Sequence, residues 1–288
     1  MGSKLKAAAT SLGINLTLLA GKIAVAAWTG SIAIMAEAAH SFFDMLASLL
    51  AYLGIKIAEQ PDDSTHPYGH EKFETLSSLL QALLITGTAV IVLWESYQKF
   101  LHPAPLEHLG WGIALIAITI PIAYLTARYL SATAKKEGGS HALEADSAHF
   151  TTDVLGSVAV LAGLLLVRWG MWWGDSLAAF AVGMIMLYIS IRLLRGAFYV
   201  LLDFSPGREK MRRIEGVLRK AVKSRKITRF HKLRARMAGS RILLEFHIHV
   251  PRRMSVVTAH QISSDIKRDI RKRVPQVKDA TIHIEPDS

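Results

Sequence analysis

The stretch EAAHSFFDMLASLLAYLGIKIAEQ, residues 37–60, belongs to an apolar run that is long enough to cross a lipid bilayer. It nevertheless contains an imidazole at His40 and a carboxylate at Asp44, where ionisable groups are costly. Their i, i+4 spacing puts both side chains on one face of a helix, about one turn apart. A polar pair of this kind indicates a functional site inside the apolar layer.

A second stretch, ADSAHFTTDVLGSVAVLAGLL at residues 145–165, repeats the spacing with His149 and Asp153. A lone His bonded to a neighbouring helix, or a lone Asp at a kink, would explain one pair but not two identical ones. If the two helices face each other, two imidazoles and two carboxylates form a set that suits tetrahedral coordination of a divalent ion such as Zn²⁺. Asp146, one turn before His149, suits a hydrogen bond to a ligand or a charge at the entrance.

The distribution of apolar residues predicts an α-helical membrane protein. The mean hydropathy is +0.29 and 51% of the residues are hydrophobic, which is high for a soluble chain. The apolar blocks stop near residue 202 and have the length of bilayer-spanning helices. We expect six transmembrane helices, with the first one uncleaved, at about 7–28, 32–58, 74–99, 110–131, 142–168 and 175–199.

The basic residues predict the orientation of these spans, because Lys and Arg are enriched on the cytoplasmic side. Lys99 and Arg168 would lie on the outer side of the membrane. The cytoplasmic side would hold the C-terminal tail together with Lys4, Lys6, Lys72, Lys135 and Lys136. Both termini are therefore expected in the cytoplasm, with the protein in the cell (inner) membrane.

The tail reads as a small soluble domain. Residues 204–288 contain 22 Lys and Arg against 8 Asp and Glu, so we divide the chain into a transmembrane domain, 1–203, and a cytoplasmic domain, 204–288. Helical and alternating patterns predict the order αββαβ. The elements are expected at 208–224, 229–237, 241–250, 255–274 and 279–286, with Ser255 as a helix N-cap. His247, His249 and His283 would lie on the polar faces of the last two strands.

Several function classes fit the sequence poorly. The chain has no cysteine, which excludes disulfides, thiolate metal sites and cysteine nucleophiles. Four protein ligands close the metal's coordination shell, whereas a metalloenzyme keeps an open position, so we expect no enzyme. The tail's charge is scattered without stacking aromatics, so we expect no nucleic-acid partner. Two classes remain for a membrane protein with such a metal site, namely one that carries the ion across the bilayer and one that senses metal without transport.

Four segments resemble the cation diffusion facilitator family: MAEAAHSFFD (35–44), HPYGHEKFETL (66–76), ADSAHFTTDVLGSVAVL (145–161) and GDSLAAFAVGMIML (174–187). The resemblance extends from about Ser11 to Glu285. It implies a homodimer in the lipid bilayer that exports divalent metal in exchange for protons, with six spans and a cytoplasmic metallochaperone-like domain. In this family a His at the position of His40 goes with preference for Zn²⁺ over Cd²⁺, and Fe²⁺ or Co²⁺ would fit the same ligands.

The resemblance also assigns residues outside the apolar spans. Without it, the loop after the second span would read as a solvated turn. With it, three loop residues match a metal site: Asp63, His66 and His70. Lys72 and Asp203 match a charge pair between the domains of the dimer. Five tail residues match a binuclear metal site: His231, His247, His260, His283 and Glu285. Glu285 departs from the family pattern, where Asp is common.

Overall fold

The computed structural model describes residues 2–29, 32–102, 109–169 and 171–287. The side chains of His40 and Arg168 lie outside this description, although both residues belong to helices. The chain divides into two compact units, Met1–Phe198 and Tyr199–Ser288. In the described part, the chain up to Leu201 forms six long helices. They are α1 (Ser3–Thr29), α2 (Ile32–Ala58), α3 (Lys72–Leu101), α4 (Leu109–Lys136), α5 (His141–Arg168) and α6 (Gly174–Leu201).

Four of these helices contain segments long and apolar enough to cross a membrane, among the residues that the structure describes. The segments are Ser3–Trp28, Ser41–Ala58, Lys72–Leu101 and Gly174–Leu201. The other two helices, α4 and α5, are each 28 residues long. Four of the six predicted spans are thus found as helices of sufficient length and apolar composition, and the spans at α4 and α5 stay predictions.

Small residues let the helices of the first unit approach closely, as is common between membrane helices. Ala7 and Ala8 of α1 are fully buried in a cluster with Ile55 of α2 and Leu143 of α5. At Gly54, α2 lies so near α3 that an added Cβ would be 2.4 Å from Cβ of Ser77. These contacts hold α2 and α5 within the same bundle, which brings together the two helices that carry the predicted ligands.

A buried carboxylate joins three helices near the N-terminal end of α3. Glu74 is 3% exposed and lies 3.1 Å from Nζ of Lys4 in α1. Its other oxygen accepts a hydrogen bond from the hydroxyl of Ser140, just before α5. Because a buried charge needs a partner and hydrogen bonds, this arrangement fixes the ends of α1, α3 and α5 relative to one another.

The second unit has the predicted order αββαβ. Its elements are α7 (Arg208–Lys223), β1 (Arg229–Ala238), β2 (Arg241–Val250), α8 (Val256–Arg273) and β3 (Val277–Pro286). The three strands form one sheet in the order β1-β2-β3, with β1 antiparallel and β3 parallel to the central β2. Ser255 caps α8 as predicted, since its side chain accepts a hydrogen bond from the backbone N–H of Thr258.

The core of the second unit lies between one face of the sheet and the two helices. Leu244, Phe246 and Ile248 alternate along β2 and are almost fully buried. Ile214 of α7 and Ile266 of α8 belong to the same cluster. The alternation of a strand sends intervening residues to the opposite face of the sheet, which is where the histidines lie.

Candidate metal centres

The first candidate centre, called here the intramembrane site, consists of His40, Asp44, His149 and Asp153. Ligand atoms of Asp44, His149 and Asp153 all lie within 4.8 Å of one another. Nε2 of His149 is 3.1 Å from Oδ1 of Asp44 and 4.0 Å from Oδ2 of Asp153. α2 and α5 therefore bring together one imidazole and two carboxylates, as the repeated spacing predicts.

His40 is placed by its backbone only. It lies in α2, one turn before Asp44, and its side chain is outside the described residues. Its role as the fourth ligand stays a prediction.

The donor set of the intramembrane site fits a divalent metal ion. Asp44 and His149 are each 8% exposed. Although Nε2 of His149 is close to Asp44, it makes no hydrogen bond within the described part of the chain. A buried imidazole nitrogen that is aimed between carboxylates without a hydrogen bond is the arrangement that a metal ion would complete.

The second candidate centre, the loop site, lies between α2 and α3 and consists of Asp63, His66 and His70. Oδ2 of Asp63 is 3.4 Å from Nε2 of His70, and Oδ1 is 3.5 Å from Nδ1 of His66. His70 is buried, and its Nδ1 has no hydrogen bond among the described residues. The three residues that the resemblance implies are therefore brought together.

Hydrogen bonds hold the Asp63 carboxylate in its charged form. The Thr65 hydroxyl and the backbone N–H groups of His66 and Thr65 all donate to Oδ1, at 2.7, 2.6 and 2.8 Å. The Thr65 hydroxyl contributes most, followed by the backbone of His66, and they lower the pKa of Asp63 to about 2. The sequence interpretation missed Thr65, although an Asp side chain commonly accepts a hydrogen bond from the backbone two residues further on.

The third candidate centre, the sheet site, lies on the polar face of the C-terminal sheet around Glu285. The register explains the grouping, because His247 pairs with His231 on β1 and with His283 on β3, while His249 pairs with Glu285. Strand pairing thus gathers four histidines around one carboxylate.

Each oxygen of Glu285 faces different histidines. Oε1 is 2.6 Å from Nδ1 of His247 and 3.8 Å from Nε2 of His283. Oε2 is 2.9 Å from Nε2 of His249 and 3.5 Å from Nε2 of His231. Two ligand triads result, His231–His249–Glu285 and His247–His283–Glu285. The longer Glu side chain, where the family commonly has Asp, still places one oxygen in each triad.

The charges of the sheet site suit metal binding near neutral pH. The hydrogen bond with His247 lowers the pKa of Glu285, with further help from the charges of the nearby histidines. Partial burial lowers the pKa of His231, and the neighbouring His249 and His247 add to this effect. A carboxylate held ionised beside an imidazole held neutral matches the protonation states that metal ligands need.

The sheet site differs from the predicted one at two histidines. His249 is 4% exposed and belongs to a triad, and its Nδ1 makes no hydrogen bond in the described part of the chain. The sequence indicated its strand face, but the family pattern gave it no role. His260 is exposed on α8 and belongs to neither triad among the residues described.

The predicted charge pair involves residues of different units. Lys72 begins α3, whereas Asp203 lies in the second unit with a φ of 57°. Within its own unit, Asp203 accepts a hydrogen bond from Arg236 at 2.9 Å. The pairing of Lys72 with Asp203 stays a prediction.

Comparison with known proteins identifies the family to which both parts of the chain belong. Residues 8–202 match the cation efflux transmembrane domain, and residues 206–287 match the cytoplasmic domain of cation efflux proteins. The chain belongs to the cation efflux family. Family membership makes it a membrane transporter of cations and not an enzyme, and residues 206–287 are its cytoplasmic domain.

Relatives in the cation efflux family cover most of the chain. The cation-efflux pump FieF of Shewanella oneidensis is 31% identical over 261 residues, which cover 89% of this chain and 86% of that protein. A transporter of Synechocystis, described as uncharacterized, is 32% identical over 97% of this chain and 89% of its own length. The solved metal-bound C-terminal domain of the CzcD transporter from Thermotoga maritima is 27% identical over 28% of this chain and 94% of that chain, with a TM-score of 0.26.

Proposed function

We propose that the protein exports a divalent metal cation, with Zn²⁺ as the preferred substrate, in exchange for protons. The ion is held in the intramembrane site by His40, Asp44, His149 and Asp153. One observation carries this proposal: the buried Nε2 of His149 lies between two carboxylates that come from α2 and α5. Charged groups in a membrane helix mark an ion pathway, and cation efflux is the activity of the family.

The ligand types support zinc as the substrate. Two nitrogen and two oxygen donors in a tetrahedron suit Zn²⁺, and they also accept Co²⁺, Cd²⁺ and Fe²⁺. A His rather than an Asp at residue 40 favours Zn²⁺ over Cd²⁺, as the family resemblance implies. Export of Fe²⁺, Co²⁺ or Cd²⁺ by the same mechanism is the second candidate function.

Proton exchange follows from the chemistry of imidazole. His40 and His149 bind metal only when neutral, so protons and metal compete for the same nitrogens. A site that opens to the cytoplasm loads metal, and a site that opens outward releases it as protons bind. Asp44 and Asp153 keep the net charge of the site similar in the two loaded forms. A transport rate that does not change between about pH 6 and 8 would contradict this exchange.

The sheet site is proposed to be regulatory, and the loop site is proposed as a further metal site. In a homodimer in the inner membrane, with both termini in the cytoplasm, two strongly basic C-terminal domains repel each other. Metal bound at the sheet site offsets this repulsion and lets the domains approach, which favours the transporting conformation. The match to the cation efflux cytoplasmic domain supports this assembly. Pairing of Lys72 with Asp203 would connect the domains.

Metal uptake into proteoliposomes under an imposed pH gradient tests the proposal. We expect gradient-driven uptake of Zn²⁺ by the native protein and its loss in Asp44→Ala with Asp153→Ala. A matched control removes two carboxylates of α8, Asp265 and Asp269, and should transport normally. Parallel assays with Fe²⁺, Co²⁺ and Cd²⁺ identify the preferred ion. Tight metal binding without transport of any ion would instead indicate a metal-sensing membrane protein.

A further inference from the structure

A buried hydrogen-bonded network connects α1, α2 and α5 beside the intramembrane site. Nδ2 of Asn15 lies 3.2 Å from the backbone oxygen of Asp44 and 2.8 Å from Oγ of Ser48. Ser48 in turn donates to Oδ1 of Asp146 at 2.8 Å. Ser11 approaches Oγ of Ser48 at 2.8 Å. All four side-chain partners are at most 4% exposed.

The network has one consistent direction when Asp146 is ionised. The amide of Asn15 donates to Ser48, which has a single hydroxyl proton and gives it to Asp146. The hydroxyl of Ser11 lies 2.8 Å from Oγ of Ser48 and keeps its own proton to donate within this cluster. Ser48 accepts from Asn15 and donates to Asp146, and it is the point at which the three helices meet.

The network lies one turn from the predicted ligands on the same two helix faces. Ser48 follows Asp44 by one turn of α2, and Asp146 precedes His149 by one turn of α5. Two contacts between α2 and α5 thus lie side by side, namely Asp44 with His149 at 3.1 Å and Ser48 with Asp146 at 2.8 Å. A shift of one helix along the other would break both contacts.

We propose that Asp146, Ser48 and Asn15 are positioning residues that set the separation of Asp44 and His149 for metal binding. This inference rests on the proposed function of the intramembrane site. The Ser48–Asp146 hydrogen bond fixes the register of α2 against α5. Asn15 of α1 holds the same turn of α2, because its amide donates a hydrogen bond to the backbone oxygen of Asp44.

Simple packing would not require these groups. A carboxylate in an apolar helix is costly, and Oδ2 of Asp146 makes no hydrogen bond among the described residues. An apolar contact between α2 and α5 would be less expensive but would not define a register to within one hydrogen bond. Residues that orient metal ligands are commonly hydrogen-bonded polar groups such as these. Their loss costs about 10- to 100-fold in metal affinity or activity.

Two substitutions of Asp146 distinguish positioning by its hydrogen bond to Ser48 from a requirement for its negative charge. Asp146→Leu removes the acceptor, while Asp146→Asn keeps an acceptor oxygen for Ser48 without the charge. In full-length protein in proteoliposomes, we expect Asp146→Leu to raise the KM for Zn²⁺ about tenfold or more. Asp146→Asn should stay within about threefold of the native KM, because the hydrogen bond to Ser48 persists. An equal rise of KM in both variants would overturn the proposal. The charge of Asp146 would then matter, and not the register of α2 against α5.

Ser48→Ala breaks the same bond from the other helix, so the result does not depend on one variant folding. Its matched control is Ser190→Ala in α6, where a fully buried hydroxyl donates to the backbone oxygen of Leu187 at 2.9 Å. Ser48→Ala should raise KM with little change in kcat, and combining it with Asp146→Leu should add almost nothing. Independent, additive effects of the two substitutions would contradict a shared network.

Co²⁺ absorption gives a readout that general loss of stability would not produce. With His231, His247, His249 and His283 replaced by Ala and the loop site removed by His66→Ala and His70→Ala, the remaining spectrum reports the intramembrane site. Asp146→Leu should shift that spectrum, and Asp146→Asn and Ser190→Ala should not. If Asp44→Ala with Asp153→Ala leaves transport intact, the proposed function itself fails. If that pair abolishes transport while the network variants behave as native, only the positioning proposal fails.

Discussion

Nε2 of His149 on α5 lies 3.1 Å from Oδ1 of Asp44 on α2, and both side chains are buried. This contact therefore connects α2 and α5 at the turns where each helix carries a His-x-x-x-Asp pair. Any ion bound there must contact both helices, and any movement of α2 against α5 must change the ligand geometry. Binding and helix movement are thereby coupled, which is what a transport cycle requires.

Replacing His149 should therefore abolish transport rather than reduce stability. His149→Gln removes the imidazole nitrogen between the two carboxylates and keeps a polar side chain of similar length. We expect metal uptake into proteoliposomes to fall by more than about tenfold, because even the loss of a residue that only orients a metal ligand costs about 10- to 100-fold. His141→Gln is the matched control, because His141 begins the same helix and belongs to none of the three sites. Comparable losses in the two variants would argue against His149 as a ligand.

The sheet site offers a direct test between sequence pattern and structure. The family pattern includes His260, whereas the structure brings His249 into a triad. In full-length protein carrying Asp44→Ala and Asp153→Ala, we expect His249→Ala to weaken zinc binding at the sheet site about tenfold or more. His260→Ala should have a much smaller effect. Competition titration with a zinc-binding dye measures both affinities. A larger loss of affinity in His260→Ala than in His249→Ala would indicate that His260, and not His249, is the ligand.

The loop site has a predictable dependence on pH. The folded-state pKa of Asp63 is lowered to about 2 from 3.8 by the Thr65 hydroxyl and the His66 backbone. A lowered carboxylate pKa stabilises the loop above about pH 4, and this contribution disappears as the pH falls towards 2. At pH 7 Asp63 is ionised with or without Thr65.

Two variants separate charge from loop order at this site. Thr65→Val should raise the pKa of Asp63 towards its ordinary value and leave zinc affinity at pH 7 nearly unchanged. Asp63→Asn removes the charge and should lower that affinity about tenfold. Zinc titration at pH 7 in protein that lacks the other two sites compares them. Similar losses in both variants would mean that Asp63 acts by ordering the turn and not as a charged ligand.

The repeated His-x-x-x-Asp pattern and the alternation of the C-terminal strands were sufficient to predict much of the site and the fold. A helix repeats its faces every turn and a strand alternates its faces, so these patterns carry geometry. The role of His249 could not be derived in this way. Its contribution depends on pairing with Glu285 across β2 and β3, and strand register is set by interactions between distant parts of the chain.

The network of Asn15, Ser48 and Asp146 was invisible for a related reason. Asn15 and Ser48 are ordinary polar residues in their own helices, and only the packing of α1, α2 and α5 brings them to Asp146. The sequence singled out Asp146 by its spacing from His149, but it offered no partner for it. Short polar residues in membrane helices acquire their meaning from the neighbouring helix, which the local pattern does not specify.

Close packing of α2 against α3 gives the last prediction. A Cβ at Gly54 would lie 2.4 Å from Cβ of Ser77 and 3.2 Å from the backbone oxygen of Phe73. The hydroxyl of Ser77 also donates to the backbone oxygen of Leu50 at 2.6 Å. Gly54→Ala must therefore push the helices apart and weaken that hydrogen bond, at a cost of about 1–3 kcal/mol.

Gly87→Ala in α3 is the matched control, because nothing lies within 4 Å of a Cβ added there. Alanine favours the helix by up to about 1 kcal/mol over glycine, so this variant should be as stable as the native protein or slightly more stable. We expect Gly54→Ala to lower the Tm of the detergent-solubilised protein and to raise the KM for metal, since α2 carries Asp44. Equal Tm values for the two variants would mean that α2 and α3 do not pack as closely as Gly54 and Ser77 indicate.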